Sequence, residues 1–412
     1  MTDSKQKILI VGAGIAGLTA ANYLKKAGKD VLVLEASDHI GGRVHTEYKD
    51  GFILDRGFQV LLTAYPEAKK ILDYEALKLK SFVPGSIILG DLGRTFMGDP
   101  SRYYWGIFST LMSWAATFSD KLLVRKLTNQ VKAMSVEEIF AESPQMPTIN
   151  YLQQYGFSST IITHFFRPFF GGIFLERAID TPHPMFLFVM KMFAEGQAAI
   201  PENGMAEIPK QLASVLKDDE IKLNTKIVNF DMQYAIDEED TAYPYSHLIV
   251  ATPGLTDKKR KVTYKQTTQI YFSSDHKPFS TNAIALNGME GGLFNNMAVL
   301  TNLHKGFAPE GKELISVSLP GERIVMGMKI EDQIRQEMTA YCPRTDDWKV
   351  IGNYFINHAL PEFTEVRNDM PKEEYMIGQN VYLCGDYLLN ASLNAAMKSG
   401  RLVAEAILGK SQ

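Results

Sequence analysis

The 412-residue sequence predicts an α/β protein in which both chain ends build one open, mostly parallel sheet and an α+β domain is interleaved between its parts. Three observations predict it. Ile8 to Val11 is an apolar run that meets the turn Gly12-Ala-Gly-Ile-Ala-Gly17, as a buried central strand does when it feeds a helix. Asp30 to Glu35 is a second apolar strand closed by an acid. Near the other end of the chain, Val381-Tyr-Leu-Cys-Gly-Asp386 again runs from strand to helix start.

Ile15 to Ala27 reads as a helix with small residues on one face, ended by Gly28 at a C-cap position. Residues 7–35 therefore form a βαβ unit, the opening of a doubly wound, Rossmann-like sheet. From about Pro84 to Gln197 the texture changes. Helical apolar periodicity, many Phe and Met residues, and breakers at Pro100, Pro144, Pro147, Pro168, Pro182 and Pro184 predict a helix-rich insertion. Within it, Tyr103 to Phe118 is apolar and aromatic but shorter than the ~20 residues a spanning helix needs, so a buried or substrate-facing helix is expected, with shallow interfacial contact as the alternative.

Strand-like sequence returns near residue 200. Ile221 to Phe230 reads as a strand pair or one kinked strand, and Ser246 to Thr252 as a buried strand ended by Pro253-Gly254. Thr267 to Phe272, Ala283 to Leu286, Met297 to Thr301 and Leu314 to Leu319 are further strands, and Ile330 to Met338 is a helix. The chain rejoins the first domain at Asn380 to Leu383 and closes with a helix over about Ala391 to Leu408. The expected division assigns residues 1–83, 198–260 and 370–412 to the first domain, and 84–197 and 261–369 to the second.

A net charge of -4 with dispersed basic residues argues against nucleic acid as the main partner. The one basic run, Lys258-Lys259-Arg260-Lys261, reads as a solvated loop. Two cysteines, Cys342 and Cys384, build neither a disulfide framework nor a zinc site. They point to a reducing compartment, and with no room for a signal segment before the first strand a cytoplasmic location is expected. No metal-ligand spacing and no Ser-His-Asp arrangement is present.

The glycine-rich turn suits a dinucleotide. Gly12 permits the tight turn, Gly14 lets a pyrophosphate approach the backbone, and Gly17 lets the helix sit close to the sheet. The helix N-terminus, with Ala16 in its first turn, offers unpaired N–H groups and a positive dipole end. Glu35, followed by Ala36, is spaced to accept from a ribose diol and disfavours a 2′-phosphate. FAD and NAD both remain open from this unit alone. Gly41-Gly42-Arg43 adds two residues without Cβ and a guanidinium suited to phosphate oxygens. Gly385-Asp386 follows a buried strand and precedes a helix, so it reads either as an ordinary turn or as a carboxylate placed to accept from a ribityl hydroxyl.

Three segments carry a resemblance: Val11-Gly-Ala-Gly-Ile-Ala-Gly-Leu-Thr-Ala-Ala21, Leu34-Glu-Ala-Ser-Asp-His-Ile-Gly-Gly-Arg-Val44, and Tyr382-Leu-Cys-Gly-Asp-Tyr387 with Ser392-Leu-Asn-Ala-Ala-Met-Lys-Ser-Gly-Arg-Leu-Val-Ala-Glu405. Together they resemble the flavin-containing amine oxidase superfamily, which includes amine oxidases, protoporphyrinogen oxidases and phytoene-type desaturases. Phe166 to Phe174 and Trp348…Tyr354…Ala359-Leu360-Pro361 resemble its bacterial amine oxidase or protoporphyrinogen oxidase-like branch.

The resemblance implies FAD, with Gly12, Gly14 and Gly17 at the pyrophosphate, Glu35 at the adenosine ribose and Arg43 at the phosphates or flavin side. It also implies the Ile227 backbone at adenine, Asp386 at the ribityl chain or pyrophosphate, and Ser392, Asn394 and Ala395 near the isoalloxazine. Asp55-Arg56-Gly57-Phe58-Gln59 resembles the segment that passes beside the flavin. Amine oxidases of the group place a lysine in a substrate-domain strand, linked through water to the flavin. Here Thr267 aligns there and Lys265 lies two residues away, which shifts weight from amine oxidation towards desaturation or ring oxidation. Cys384 lies inside a strand and no other cysteine matches a flavin tether, so binding is expected to be non-covalent.

The implied function is an FAD-dependent oxidoreductase that takes a hydride from a hydrophobic substrate and passes electrons to oxygen, a quinone or another acceptor. The alternatives are an NAD-dependent small-molecule dehydrogenase and a non-catalytic flavin-binding protein. Tyr354 and Lys265 are the catalytic candidates. His164, His183 and His358 read as structural side chains. Phenylalanines 165, 166, 169, 170, 174, 186, 188 and 193, with Met185, Met190 and Met192, line an apolar pocket if the insertion caps the flavin, and are plain core otherwise.

Overall fold

The computed structural model describes residues 7–99, 102–255, 262–321 and 328–409. Lys258 to Lys261 and Pro100 lie outside these residues. Lys7–Val11 pairs in parallel with Val31–Leu34 on one side and with the second half of Ala242–Val250 on the other. Ile221–Lys222 extends the sheet beyond Val31–Leu34. Val381–Leu383 lies parallel to Leu248, Ile249 and Val250, so the last strand of the chain sits two places from the first. Ile8 to Val11 are all buried, which explains their unbroken apolar run.

Ile15–Lys26 leaves the glycine turn and ends at Ala27, with Gly28 in the left-handed region. Across it packs the last helix, Leu393–Ile407, N-capped by the Ser392 hydroxyl, which accepts from the Ala395 N–H at 3.0 Å. The two helices cross where Gly400 faces the Ala16 carbonyl and the Ala20 N–H, with no room for a side chain.

The second sheet is mostly antiparallel, in the order Lys349–Pro361, Tyr264–Ser274, Glu313–Pro320, Asn296–Val299, Ile284–Asn287, Gly85–Gly90, Gly93–Gly98. Ile284–Asn287 and Gly85–Gly90 form its parallel pair. Helices Phe118–Ala133, Thr148–Tyr155, Arg167–Phe174 and His183–Glu195 lie between its strands in sequence. The two domains alternate along the chain because each sheet recruits strands from both halves.

Several elements differ from expectation. Residues 85–98 form a hairpin of the second sheet and not part of a helical insertion, since Ser86-Ile-Ile-Leu89 buries both faces and Gly93 supplies the turn. Ile221 to Phe230 holds two strands, as one of the two expected readings has it, but they do not pair with each other. Ile221–Lys222 joins the parallel sheet, whereas Ile227–Phe230 pairs with Tyr234–Asp237 off the first half of Ala242–Val250. Lys349–Pro361, a 13-residue edge strand, is unpredicted because its exposed face breaks the apolar alternation.

Tyr103 to Phe118 is not a buried helix. It forms a short turn, Tyr104–Gly106, and the helix Ile107–Met112. This helix rests on the hairpin through Thr110, whose hydroxyl accepts from the Gly98 N–H at 3.0 Å. Ala115 and Ala116 are buried, but a six-residue helix on one strand can bury only one face.

Gly400→Ala places a Cβ against the backbone of the facing helix. It is expected to lower stability by on the order of 2 kcal/mol, read as a lower Tm of both flavin-free and flavin-loaded protein. An unchanged Tm contradicts this account of the helix crossing.

Candidate functional site

Strand ends and helix starts from both domains enclose one cavity of about 860 Å³. At one end, Gly12, Gly14 and Ala16 line it along the first turn of Ile15–Lys26. The first N–H groups of a helix have no intrahelical partner, and the N-cap residue, Gly14, supplies no side-chain cap. A Cβ at Gly14 would meet nothing within 4 Å. The backbone here is an open cradle for an anion. Gly17 does not line the cavity, because its missing Cβ would collide with the Gly12 carbonyl.

Glu35 and Ala36 line the cavity where Val31–Leu34 ends. Glu35 also braces the loop. Its Oε2 accepts from the Ala13 N–H at 2.6 Å, and its Oε1 accepts from the Ser37 N–H at 2.9 Å and the Ser37 hydroxyl at 2.8 Å. These bonds fix the carboxylate at the cavity edge. Ile227 lines the same end.

Gly42 and Arg43 follow, with Gly42 in the left-handed region (φ +59°), where its bare Cα lies over Gly14. The Arg43 guanidinium donates to Asp386, 343 positions away in sequence, and at 3.2 Å to the Ala359 carbonyl. Burial works against the Arg43 charge, but the Asp386 carboxylate outweighs it and holds the guanidinium above its ordinary range. Gly385, Asp386 and Ser392 line this part of the cavity. Asn394 and Ala395 do not: the Asn394 Oδ1 accepts from the Glu67 N–H at 3.0 Å, and Ala395 is buried under the helix cap.

Gly57, Phe58 and Gln59 line the cavity, and the Gln59 amide donates to the Arg43 carbonyl at 2.9 Å. Asp55, just before them, is fully buried. Its carboxylate accepts from the Thr46 hydroxyl and, at 2.9 Å, from the Met205 N–H, while its carbonyl accepts from the Tyr271 hydroxyl at 2.7 Å. Burial pushes its pKa up to about 6 despite these donors.

The far end belongs to the second domain. Phe169, Phe174, Phe193 and Met185 line it, with Ile173 and Val189 between them. The other residues of the expected aromatic wall, 165, 166, 170, 186, 188, 190 and 192, do not reach the cavity. Of these, Phe166, Phe170, Phe186, Phe188 and Met192 are buried in the core. A helix turns only one stripe towards a cavity, so most of a Phe-rich helix fills the core behind it.

Lys265 and Thr267 both line the cavity. The Lys265 ammonium is ion-paired with Glu176 and donates to the Thr181 hydroxyl at 2.9 Å. Tyr354 is absent from the lining: its ring lies under the Arg56 guanidinium and its hydroxyl donates to Glu47 at 2.8 Å. Burial and the Glu47 carboxylate both raise its pKa. None of the three singled-out histidines lines the cavity. His183 lies between Glu142 at 3.0 Å and the Met146 N–H at 3.2 Å, and His164 bonds the Gly288 carbonyl at 2.7 Å. Sequence reasoning gave no site role to Tyr264 and Asn296, which line the cavity through strand register that no local motif announces.

Residues 15–408 match the family described as flavin containing amine oxidoreductase. The chain belongs to that family. It is 28% identical over 177 residues to protoporphyrinogen oxidase 2, chloroplastic/mitochondrial, of Arabidopsis thaliana, covering 41% of this chain and 32% of the relative. It is 32% identical over 126 residues to coproporphyrinogen III oxidase of Bacillus subtilis, covering 28% of this chain and 26% of that protein. The chain thus spans about a third or less of these relatives' lengths. A crystal structure assigned to protoporphyrinogen oxidase from an Exiguobacterium species superposes with a TM-score of 0.73 at 19% identity, over 99% of this chain and 100% of that one, and shows the fold to be shared. The family description names a flavin, in line with the class of cofactor that the sequence implies.

Asp55 carries a pH signature. Its folded pKa of about 6 lies above the unfolded value of 3.8, so its contribution to stability is fully present below the lower value and is lost as pH rises through the upper one. Asp55→Asn keeps an oxygen for Thr46 and Met205 and is expected to abolish that fall, on the order of 2–3 kcal/mol, in denaturation curves run across this interval. Parallel pH profiles for wild type and variant contradict the assignment.

Proposed function

We propose that this chain binds FAD without a covalent bond and uses it to oxidise a hydrophobic ring or polyene substrate by hydride removal. The observation that carries the reading is the shared cavity: Gly14, Arg43 and Asp386 open onto the same space as Phe169, Ile173 and Phe193. In this reading the helix N-terminus and Gly14 receive the pyrophosphate, and Glu35, held by Ala13 and Ser37, turns its remaining lone pairs to the adenosine ribose. Ile227 lies at the adenine. Arg43 and Asp386 position the phosphate and ribityl portion, and Gly57 to Gln59 border the flavin ring. Cys384 is fully buried and away from the cavity, its thiol pushed up to about 12 by burial, which supports a cofactor held without a tether.

FAD, when bound, supplies a two-electron acceptor. The chain's own part is to seat the substrate and exclude water: Phe169, Ile173, Val189 and Phe193 form an apolar wall that takes a hydrophobic body. The substrate loses a hydride and a proton, and the electrons pass on to oxygen, a quinone or another acceptor. Lys265 directs its ammonium to Glu176 and Thr181, so it is committed to the wall and not poised to hold a water for amine oxidation. The porphyrinogen oxidases among the relatives favour ring oxidation in the same direction.

The test is reconstitution with FAD followed by anaerobic titration with amines, porphyrinogens and polyenes. A yellow protein that releases its flavin on acid precipitation and is bleached by porphyrinogens or polyenes is the expected result. A colourless protein overturns the proposal, bleaching by amines alone overturns the substrate class, and a flavin that no class bleaches leaves a binding protein without catalysis. Arg43→Leu strands the Asp386 carboxylate and is expected to weaken FAD binding by at least about tenfold in equilibrium fluorescence titration.

A further inference from the structure

We propose that the segment from Tyr104 to Lys126 docks this protein onto the surface of an anionic phospholipid bilayer. Six large apolar side chains in three consecutive elements face outward: Tyr104 (74% exposed), Phe108 (75%), Leu111 (54%), Met112 (69%), Phe118 (68%) and Leu122 (54%). Scattered apolar residues are normal on a protein surface, but this concentration is not.

The cluster is built. Thr110 ties the first helix to the hairpin beneath, and the Lys121 ammonium donates to the carbonyls of Leu111 at 2.8 Å and Ser113 at 3.2 Å, holding the start of Phe118–Ala133 against the end of Ile107–Met112. Phe118 and Leu122 share one stripe of the longer helix, which continues to exposed Arg125 and Lys126. At 1.5 Å per residue the stripe passes from aromatic to basic over about 12 Å, which matches a helix lying in the plane of a membrane interface with its apolar end in the acyl boundary and its cations among phosphates.

The charge specifies the occupant. Residues 102–133 hold five basic residues, Arg102, Lys121, Arg125, Lys126 and Lys132, against one acid, Asp120, a local balance of +4 in a chain of net charge -4. Asp120 is turned inward, where it accepts from Thr117 and Ser158. A positive apolar surface suits anionic lipid headgroups and opposes a two-fold dimer in which the same surface meets itself. Among the described residues no helix is long and apolar enough to cross a membrane, so the contact is superficial. Lys191, on the helix that carries Met185, Val189 and Phe193 to the cavity, bonds the Val131 and Lys132 carbonyls at 3.3 and 3.2 Å. The docking helix is thus fastened to the cavity wall.

The experiment is co-sedimentation of the flavin-loaded protein with vesicles of phosphatidylcholine alone and of phosphatidylcholine rich in phosphatidylglycerol, at low and high salt. Binding to the anionic vesicles that weakens with salt is expected. Phe108→Ser with Phe118→Ser is expected to lower it at least about tenfold while flavin absorbance and Tm stay at wild-type values. Arg125→Glu with Lys126→Glu is expected to remove the preference for phosphatidylglycerol. Failure of the wild type to bind anionic vesicles overturns the proposal whatever the variants do. So does binding that the Phe variant leaves unchanged, or a solution dimer that the Phe variant dissolves.

Discussion

The parallel pairing of Lys7–Val11 and Val381–Leu383 with the same partner, Ala242–Val250, is the constraint from which the rest of the molecule follows. It brings the first glycine turn and the last strand-to-helix turn to the same edge of one sheet. Helix Leu393–Ile407 must then cross helix Ile15–Lys26, and only Gly400 allows the close approach. Because both chain ends are committed to this sheet, the intervening segments fold outward into the second sheet and its helices, and the space between becomes the cavity.

Charge within that space is paired across long sequence separations. Arg43 meets Asp386, and Lys265 meets Glu176, so neither cation enters the cavity uncompensated. Glu35 is held by the N–H groups of the loop it is expected to serve, which keeps its geometry fixed before a ligand arrives. Low-dielectric surroundings make such pairs costly to break, and this preorganises the polar side of the cavity while the opposite wall stays apolar.

The cofactor end was the legible part. Gly12, Gly14, Glu35, Arg43, Gly57 and Asp386 each belong to a short local pattern whose spacing reflects a strand, a turn and a helix start, and all reach the cavity. The opposite wall was not legible. Phe166 and Phe169 are indistinguishable by type and differ only in which side of a helix faces the space. Tyr354 and Lys265 lie on neighbouring strands, yet only Lys265 borders the cavity. Apolar periodicity likewise announced neither the exposure of Phe108 and Phe118 nor the burial of Asp120, because hydropathy reports what a residue prefers and not whether a partner surface exists to cover it.

By itself the sequence determined the βαβ opening, the returning carboxy-terminal strand and the class of cofactor, since these rest on local backbone geometry and on residues whose chemistry is set by their own spacing. Tertiary structure alone decided which side chains face the reactive end of the cavity, that Lys265 is engaged by Glu176, and that an aromatic segment stands on the surface. Those outcomes depend on register and on contacts between residues far apart in the chain, for which no local pattern carries a signal.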